Sequence, residues 1–387
     1  MRRPAVLGGE PAFPDGLRLA RPVAPPMERF VELLRPSYEE GQLTNGRLVR
    51  QLEERAAEFL GVRRVVAVSS CTAGLMLVLR SLHREQGSVV LPSFTFAATA
   101  HAVAWNGFRP LFADCDRTPN GFMLDVADAR ARIEDDTVAV MATHTFGVGC
   151  GASAVEAMAA EAGVPAIFDA AHGFGAVHEG RRIGGFGLAE VFSLSPTKLI
   201  VSGEGGLVST DDEALADEVA LGRDYANPGD YDMRFVGLNA RMSELHAAVA
   251  LGSFDELDAH LERRREIAAR YRAGLGVVPG VHSQVVPEGD LPTFKDLTVW
   301  IDAAELGMSR DRLREALTAE GIDTRAYFSP PVHRHTAYKH LPASELPATD
   351  RAAVGAVSLP MFRDLSDDAI DRVIDVISSI QAAASEL

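Results

Sequence analysis

The sequence predicts an α/β fold built on a largely parallel sheet. Short apolar or β-branched runs alternate with stretches of helical spacing, a pattern typical of parallel strands joined by helices. At 387 residues the chain is long enough to bury a sizeable core and to divide into two domains. We therefore expect a large domain over residues 1–254, including an N-terminal segment that lies on the surface, and a small C-terminal α/β domain over residues 255–387.

The large domain is predicted to contain seven strands, each a short run rich in Val, Ile, Leu or Phe. The predicted strands span residues 64–68, 89–91, 109–113, 137–142, 164–168, 188–194 and 207–210. Helical spacing separates them, at 28–34, 48–60, 75–82, 125–133, 153–161 and 212–223. In the small domain we expect a linking helix at 257–275, a strand at 297–302 and helices at 309–320 and 367–384, with a further helix at 242–251 just before the boundary.

Charge and composition exclude several classes of partner. A net charge of -16 argues against nucleic acid and against an anionic membrane surface. The three cysteines are far apart in the chain, which fits neither a disulfide framework nor a zinc site and indicates a reducing compartment. No apolar run is long enough to span a membrane and the first residues do not resemble a signal peptide, so we expect a cytoplasmic protein.

Lys198 is the first candidate for chemistry. The chain contains only three lysines, Lys198, Lys295 and Lys339, and otherwise uses arginine for positive charge. Lysine differs from arginine in that its amine can lose its proton and form a Schiff base. The residues around Lys198 are uncharged, and such surroundings favour the neutral, nucleophilic amine. The alternative is a surface lysine whose stem lies along apolar groups.

Asp169 favours the chemical interpretation. It follows the predicted strand at 164–168, so its carboxylate lies at the edge of the sheet where ligands bind in open α/β folds. A carboxylate and a lysine at that edge suit a pyridoxal phosphate site. The lysine would hold the aldehyde and the aspartate would keep the pyridine nitrogen protonated.

Five short motifs downstream of residue 168 resemble the signature of the DegT/DnrJ/StrS aminotransferases. They are Asp169-Ala-Ala-His172, Gly184-Gly-Phe-Gly187, Phe192-Ser193, Pro196-Thr-Lys198 and Glu204-Gly-Gly206. The resemblance extends from about residue 41 to residue 380. It implies the fold-type I aminotransferase architecture, pyridoxal phosphate (alternating with pyridoxamine phosphate) as cofactor, and keto-sugars as substrates.

The turn after the first strand indicates an anion site. Small hydroxyl residues at 69–74 separate that strand from a helix, and the amide groups at the start of a helix attract phosphate. The alternative is an ordinary hydroxyl N-cap. By resemblance Thr72 and Ala73 hold the phosphate of the cofactor, although Cys71 stands where the family has glycine.

Three further residues are assigned to the cofactor. By resemblance Phe96 stacks on the pyridine ring, and His172 bonds the 3′ oxygen or the phosphate side. Ser193 lies five residues before Lys198 and its hydroxyl is placed to reach the same phosphate as Thr72; the alternative is an exposed serine at a strand end.

The resemblance also assigns roles in cofactor or substrate binding to two segments far from Lys198 in the sequence. The polar loop at 224–241 corresponds to a segment that crosses the interface of a homodimer and completes the neighbour's site. Asn239 and Arg241 are therefore candidates for the partner's phosphate or for substrate, and a solvated turn is the alternative. His333 lies in a Pro-Pro-His loop near the substrate in the family, or else has a structural role.

The expected reaction is transamination from L-glutamate to a nucleotide-linked keto-sugar. Lys198 would carry the cofactor and act as general acid and base. The motifs look like those of members that aminate C4 of a dTDP-4-keto-6-deoxyhexose, while a 3-keto-sugar or a keto-inositol stays open. The retained lysine disfavours the dehydratase branch of the family, in which histidine replaces it.

Two classes of function compete with this expectation. Gly173-Phe-Gly175 resembles the start of a dinucleotide fingerprint, but the third glycine is misplaced and charged residues follow where a helix should begin, which disfavours a nicotinamide oxidoreductase. A non-catalytic regulator on the same fold is the second rival. It would not need both Lys198 and Asp169.

Overall fold

The computed structural model describes residues 2–118, 120–342 and 345–387. Its larger sheet has seven strands in the order β1-β9-β8-β5-β4-β2-β3. These strands are β1 (Arg64–Val68), β2 (Ser88–Pro92), β3 (Arg109–Ala113), β4 (Thr137–Thr143), β5 (Ala166–Asp169), β8 (Ala189–Ser193) and β9 (Gly206–Thr210). A small hairpin, β6 (Val177–His178) and β7 (Arg181–Arg182), lies between β5 and β8 along the chain.

One strand of the larger sheet, β9, runs antiparallel to the other six. β9 pairs antiparallel with both β1 and β8, whereas β8, β5, β4, β2 and β3 pair parallel. The carboxyl ends of six strands and the amino end of β9 therefore meet at one edge of the sheet. This arrangement confirms the predicted, mostly parallel sheet and brings the segments that follow β1, β2, β5 and β8 together.

Helices cover both faces of the larger sheet. Alternate residues of each strand enter opposite cores: Val65 and Ala67 pack on one face, and Val66 and Val68 pack on the other. The helices of this part of the chain are α1 (Met27–Glu39), α2 (Arg47–Leu60), α3 (Cys71–Arg80), α4 (Ala97–Trp105), α5 (Val126–Ala131), α6 (Ala152–Glu161), α7 (Glu213–Gly222) and α8 (Glu244–Phe254).

A smaller antiparallel sheet forms a second lobe. It contains β10 (Val281–Ser283), β11 (Leu297–Ile301) and β12 (Ala356–Leu359), with β11 in the middle. Its helices are α9 (Leu257–Leu275), α10 (Ala303–Leu306), α11 (Arg310–Ala319), α12 (Pro347–Gly355) and α13 (Asp367–Ala382). A domain boundary near residue 255, just before α9, remains our proposal.

The N-terminal segment, expected on the surface of the large domain, packs on this second lobe. Phe13 donates its amide to the carbonyl of Glu320, and Leu17 pairs with Ile322 in an isolated bridge. The buried Glu320 carboxylate accepts the amides of Ala5 and Ala12 at 2.8 Å each. Apolar side chains of the segment join the core of the lobe.

Helix α3 begins four residues before its predicted start at residue 75. Ser70 is its N-cap, and the Ser70 hydroxyl accepts the amide of Ala73 at 3.1 Å. The small residues of this first turn carry no apolar periodicity, so the sequence pattern missed it. Within the described residues, no helix has the combination of length and apolar character that a membrane crossing requires.

Candidate active site

A cavity of about 330 Å³ lies at the edge where the strand ends meet. Its walls come from the segments that follow β1, β2, β5 and β8, from the segment before β9, and from two loops of the second lobe. The lining residues are Ser70, Cys71, Thr72, Phe96, Ala98, Asp169, Ala171, His172, Ser193, Ser195, Thr197, Lys198, Glu204, Gly205, Lys295, Asp296, Tyr327 and Phe328. A larger, more open cleft of about 790 Å³ lies near Arg181 and Phe254 and contains none of the predicted site residues.

The cavity brings together six of the predicted residues: Thr72, Phe96, Asp169, His172, Ser193 and Lys198. They come from four segments of the chain, at or after the ends of β1, β2, β5 and β8. The parallel sheet explains their meeting, because each segment leaves the same edge. Ala73, Asn239, Arg241 and His333 do not line the cavity.

The Asp169 carboxylate is buried and fixed by hydrogen bonds. The Thr99 hydroxyl donates to Oδ2 at 2.7 Å, and the amide of Ala171 donates to Oδ1 at 3.1 Å. The thiol of Cys71 lies 3.9 Å from Oδ1. Only 3% of the residue is exposed, so the carboxylate is held in one orientation, facing the cavity from its inner wall.

A row of threonine hydroxyls extends behind Asp169. Thr95 Oγ1 lies 2.8 Å from Thr99 Oγ1 and 3.0 Å from Thr143 Oγ1. Each hydroxyl has one proton, so if Thr99 donates to Asp169 it must accept from Thr95, which in turn accepts from Thr143. A row directed in this way polarises every bond toward the carboxylate.

The amine of Lys198 has properties suited to a nucleophile. Burial, and after it the nearby ammonium group of Lys295, lowers its pKa from the ordinary 10.5 to about 8. The negative charges of Asp296 and Asp169 act in the opposite direction. The side chain remains partly open to the cavity, so a ligand can reach an amine that is neutral far more often than an ordinary lysine.

His172 is neutral at physiological pH. Burial lowers the pKa of its imidazole well below 6.5, and the positive charges of Lys198 and Lys295 lower it as well. The amide of Phe146 donates to Nδ1 at 3.2 Å, so the single ring proton is on Nε2. The histidine can therefore offer one N–H to a ligand in the cavity.

The turn before α3 supplies hydroxyl groups to one end of the cavity. Thr72 lines the cavity in the first turn of the helix, but Ala73 does not, and the amide of Ala73 is used by the Ser70 cap. The geometry therefore supports Thr72 rather than Ala73 as a phosphate contact. Cys71 lies inside α3 and takes an ordinary helical conformation, so its presence in place of glycine causes no backbone strain.

Ser193 ends β8 at the same edge, and its hydroxyl accepts the amide of Ser195 at 3.4 Å.

The Phe96 ring is 61% exposed, at the N-cap position of α4. An exposed aromatic face directed at a cavity can stack on a planar ligand.

Gly206 explains part of the Glu-Gly-Gly motif. A Cβ atom at this position would lie 2.6 Å from the amide nitrogen of Cys71. Only glycine therefore allows β9 to start directly against the first turn of α3. The motif brings the strand and the helix start close enough to form one wall of the cavity.

The structure places His333 in a different environment from the one expected. Its Nδ1 lies 2.7 Å from the Ser93 hydroxyl, and its Nε2 lies 3.3 Å from a carboxylate oxygen of Asp350. The side chain is buried, with 4% exposed. A direct substrate contact is not supported, and the structural alternative accounts for this histidine: it anchors the loop that carries Tyr327 and Phe328.

Asn239 and Arg241 also lie outside the cavity of their own chain. The Arg241 guanidinium pairs with the Asp224 carboxylate and donates to Asn239 Oδ1 at 3.1 Å. Both residues end the long polar loop and remain partly or largely exposed. Any role in a cofactor site would have to be in the site of another subunit.

Sequence reasoning missed four prominent residues of the cavity: Lys295, Asp296, Tyr327 and Phe328. A signal existed for two of them. Lys295 is one of only three lysines, and Tyr327 opens the loop that was assigned through His333. Their contribution depends on how the second lobe docks against the sheet, which the local pattern does not contain.

These residues fit pyridoxal phosphate. The site offers a fixed carboxylate for a protonated ring nitrogen, an amine with a lowered pKa for an aldehyde, and an exposed aromatic face for the ring. Hydroxyl groups of Thr72, Ser193 and Ser195 are available for a phosphate. Two of the predicted contacts do not fit: the amide of Ala73 is used by the Ser70 cap, and His333 bonds Ser93 outside the cavity.

Comparisons with known proteins agree with this geometry. A family model described as the DegT/DnrJ/EryC1/StrS aminotransferase family matches residues 27–378. The spore coat polysaccharide biosynthesis protein SpsC of Bacillus subtilis (strain 168) is 32% identical over 365 residues, covering 90% of this chain and 93% of SpsC. The UDP-N-acetyl-3-dehydro-alpha-D-glucosamine 3-aminotransferase of Acidithiobacillus ferrooxidans is 32% identical over 332 residues, covering 85% of this chain and 87% of the relative.

A solved structure extends the comparison to the fold. The structure of DesI, determined in the presence of its TDP-sugar product, superposes with a TM-score of 0.92 at 38% identity. The match covers 98% of this chain and 96% of DesI. The resemblance indicated by the five motifs and the predicted fold-type I architecture are both confirmed.

Proposed function

We propose, from the premise that this chain belongs to the DegT/DnrJ/EryC1/StrS aminotransferase family, that it transfers the amino group of L-glutamate to C4 of a TDP-linked 4-keto-6-deoxyhexose. Family membership makes the chain a pyridoxal-phosphate-dependent sugar aminotransferase. The donor, the nucleotide and the position of amination are our proposals.

The observation that carries the proposed mechanism is one cavity with Lys198 and Asp169 in its wall. Pyridoxal phosphate, when bound, supplies an aldehyde that captures amines and a ring that takes up electrons from the substrate. We assign Lys198 as the residue that attaches the cofactor. With a pKa of about 8, its Nζ is well matched to accept a proton from the donor's Cα and to return one to the acceptor carbon.

Asp169 has the second role. Its carboxylate would hold the proton of the ring nitrogen, and the hydrogen bonds from Thr99 and Ala171 fix the oxygens in the orientation this requires. Because the carboxylate is buried, its charge acts through a low dielectric and is strongly felt. Phe96 would support the ring, and Thr72 and Ser193 would bind the phosphate.

The neutral His172 would donate its Nε2 proton to the ligand. A neutral imidazole places no further positive charge beside Lys198, so it does not impede proton transfer at that amine. Tyr327 and Phe328 close the side of the cavity that faces the second lobe and would exclude water from the reacting groups.

The proposed acceptor has support from a relative and from the motifs. DesI, at 38% identity over nearly the whole chain, was solved with a TDP-sugar product, which supports a thymidine nucleotide here. The Ser-Cys-Thr-Ala turn and the Asp-Ala-Ala-His motif resemble members that aminate C4. With a net charge of -16, the protein must bind the anionic diphosphate through local groups rather than through its overall field.

A 3-keto-sugar is the second candidate acceptor. One relative at 32% identity is named as a 3-aminotransferase acting on a UDP-linked 3-dehydro sugar.

We further propose a homodimer with shared active sites. The loop at 224–241 carries apolar side chains that are exposed in the single chain, including Tyr231 at 85% and Val236 at 76%. Such exposure is typical of a surface that another subunit covers. In that dimer Asn239 and Arg241 would reach the partner's site.

A panel of keto-sugars tests the proposed reaction. The purified protein is loaded with pyridoxal phosphate, and its visible absorption band should bleach on addition of L-glutamate. The aminated protein is then mixed with a TDP-4-keto-6-deoxyhexose or a UDP-linked 3-keto-sugar, and the band should return with the first. NMR of the product should show nitrogen at C4. A protein that responds only to the 3-keto-sugar would refute the C4 assignment, and one that glutamate does not bleach would refute the donor.

A further inference from the structure

A second buried lysine lies in the wall of the cavity. Lys295 Nζ contacts both carboxylate oxygens of its neighbour Asp296, at 2.9 and 3.0 Å. Only 7% of Lys295 and 4% of Asp296 is exposed. Burying two charged groups costs desolvation free energy. A lysine that only balanced surface charge would avoid this cost by staying in solvent, so the buried position of Lys295 indicates another role.

The backbone around Lys295 is fixed from two sides. Its amide donates to the carbonyl of Phe146 at 3.0 Å, and the buried Arg264 donates from Nη1 to the carbonyls of Phe294 and Lys295 at 3.0 Å each. The Tyr327 ring lies with its centroid 5.8 Å from Lys295 Nζ. The ammonium group therefore cannot move far from the cavity.

The charges near Lys198 are few. Among the described residues that line the cavity, the lysines Lys198 and Lys295 provide the positive charge, and no arginine contributes. The remaining titratable groups in the lining are Cys71, Asp169, His172, Glu204, Asp296 and Tyr327. Burial raises the pKa of the Cys71 thiol well above its usual value, so that group is neutral and adds no charge.

The electrostatic effect of the pair on Lys198 has a definite sign. A neighbouring ammonium group disfavours a second positive charge in a poorly solvated site, and a carboxylate favours it. Among the charged neighbours of Lys198, Lys295 has the largest effect and lowers the pKa of the amine, while Asp296 raises it by less. The same lysine also lowers the pKa of His172.

We propose that Lys295 is a positioning residue for the reaction: its buried ammonium group, in the wall of the same cavity, favours the neutral, nucleophilic form of the Lys198 amine, and Asp296 holds that ammonium in place and limits its effect. This inference rests on the proposed role of Lys198 as the residue that attaches the cofactor. The pair comes from the second lobe, so docking of that lobe against the sheet also sets the reactivity of Lys198.

A purely structural ion pair is the competing explanation. It would tie the loop before β11 to the cavity wall, and its loss would reduce stability. It would not shift the titration of Lys198 in opposite directions when the positive and the negative partner are removed one at a time. The signs of the two shifts therefore separate the explanations.

The small number of lysines allows a direct measurement. Full-length protein without cofactor is exposed to a trace of acetic anhydride between pH 6 and pH 11, and peptide mass spectrometry gives the labelling rate of each lysine. Lys339 is exposed and serves as the internal reference. In the unchanged protein the rate at Lys198 should have its midpoint near pH 8.

Two variants test the signs. Lys295→Met should raise the midpoint of Lys198 by about one pH unit, and Asp296→Asn should lower it by less. Lys295→Arg keeps the charge and should restore most of the original midpoint. Arg84→Met, which removes an exposed positive charge away from the cavity and keeps the Lys339 reference, is the matched control and should leave the midpoint unchanged. The pH at which the absorbance of the bound cofactor changes should move in the same directions.

Three outcomes would overturn the proposal: no shift in the folded Lys295→Met protein, shifts of the same sign in both variants, or a midpoint in Lys295→Arg equal to that of Lys295→Met. If Lys295→Met does not fold, as judged by circular dichroism, the direction of the Asp296→Asn shift decides. A protein whose Lys198 does not attach the cofactor would refute the proposed function instead, and the labelling midpoints would still report on the electrostatic effect of Lys295.

Discussion

At the scale of single residues, the cavity combines one reactive amine with one fixed carboxylate. Lys198 owes its lowered pKa to burial and to Lys295, and Asp169 owes its orientation to Thr99 and the amide of Ala171. Arginine cannot replace this lysine, because a guanidinium group does not lose its proton in a protein. The reactive state of the site thus depends on residue type as well as on charge.

The variant Lys198→Arg follows from this dependence. It keeps the positive charge, so we expect a folded protein whose turnover falls at least about 1,000-fold, as expected when a nucleophile and proton carrier is lost. Steady-state assays and thermal melting measure the two properties. Lys339→Arg, the same change at an exposed site, should be neutral. Near-normal activity of Lys198→Arg would remove Lys198 from the mechanism.

Thr99→Val tests the hydroxyl row behind Asp169. The change removes the 2.7 Å hydrogen bond to Oδ2 and keeps the shape of the side chain. A hydrogen bond to a charged group contributes about 1.5–3 kcal/mol, so kcat/KM should fall about 10- to 100-fold. Thr298→Val removes a comparable buried hydroxyl, 2.8 Å from Ser358 Oγ in the second lobe, and should leave kcat/KM unchanged. Equal kinetics for both variants would contradict a role for the row.

At the scale of elements, helix α2 starts at a buried carboxylate rather than in solvent. Glu244, fully buried at the start of α8, accepts the amides of Gly46, Leu48 and Val49 at 2.9, 2.9 and 3.1 Å. The Ser37 hydroxyl also donates to it at 2.9 Å. One carboxylate thus joins α1, α2 and α8.

Glu244→Gln should therefore destabilise the fold. The amide side chain has no negative charge and one oxygen instead of two, so some of the four donors lose their acceptor. Leaving such groups buried and unpaired costs about 2–3 kcal/mol, which chemical denaturation would show as a lower unfolding midpoint. Glu213→Gln, in the exposed first turn of α7, should stay within about 0.5 kcal/mol of the original. A Glu244→Gln protein as stable as the original would contradict the joining role.

The elements also show how much the sequence could predict. The strands at 64–68 and 109–113 have the predicted bounds, and the helix at 257–275 does too, because each has a clear period and clear ends. Helix α4 was not predicted, since Ala97–Trp105 is apolar on nearly every side and carries no helical pattern. The contacts of the N-terminal segment with Glu320 could not be predicted either, because they join residues more than 300 positions apart in the sequence.

The same distinction applies to the site. Lys198, Asp169 and His172 follow strands or lie in short motifs, so their meeting could be predicted from the parallel sheet. Lys295 and Asp296 reach the cavity through the docking of the second lobe, which no local pattern encodes. His333 shows the converse limit: the motif located its loop correctly, but the side chain bonds Ser93 and lies beside Asp350 instead of lining the cavity.

At the scale of the whole molecule, the proposed dimer makes the active site depend on two chains. Arg241 is about one-third exposed and outside its own cavity. If it completes the partner's site, the two halves of one active site come from different subunits.

Mixing two inactive variants tests this dependence. Lys198→Arg and Arg241→Ala are each expected to be inactive as pure dimers. A mixed dimer would contain one intact site, formed by Lys198 of one chain and Arg241 of the other. Random exchange makes half of the dimers mixed, so about one quarter of the normal activity should return. No recovery, despite mixed dimers seen by native mass spectrometry, would place Arg241 in its own subunit's site or outside the mechanism.

The central claim is that Lys198, and no other amine of the chain, attaches pyridoxal phosphate. Borohydride reduction of the loaded protein, followed by peptide mass spectrometry, locates the attached group among only three lysines. We predict that the group is found on Lys198 alone, and that prior incubation with L-glutamate prevents its fixation. Attachment at Lys295 or Lys339, or no attachment to a protein that is folded and loaded, would contradict the claim.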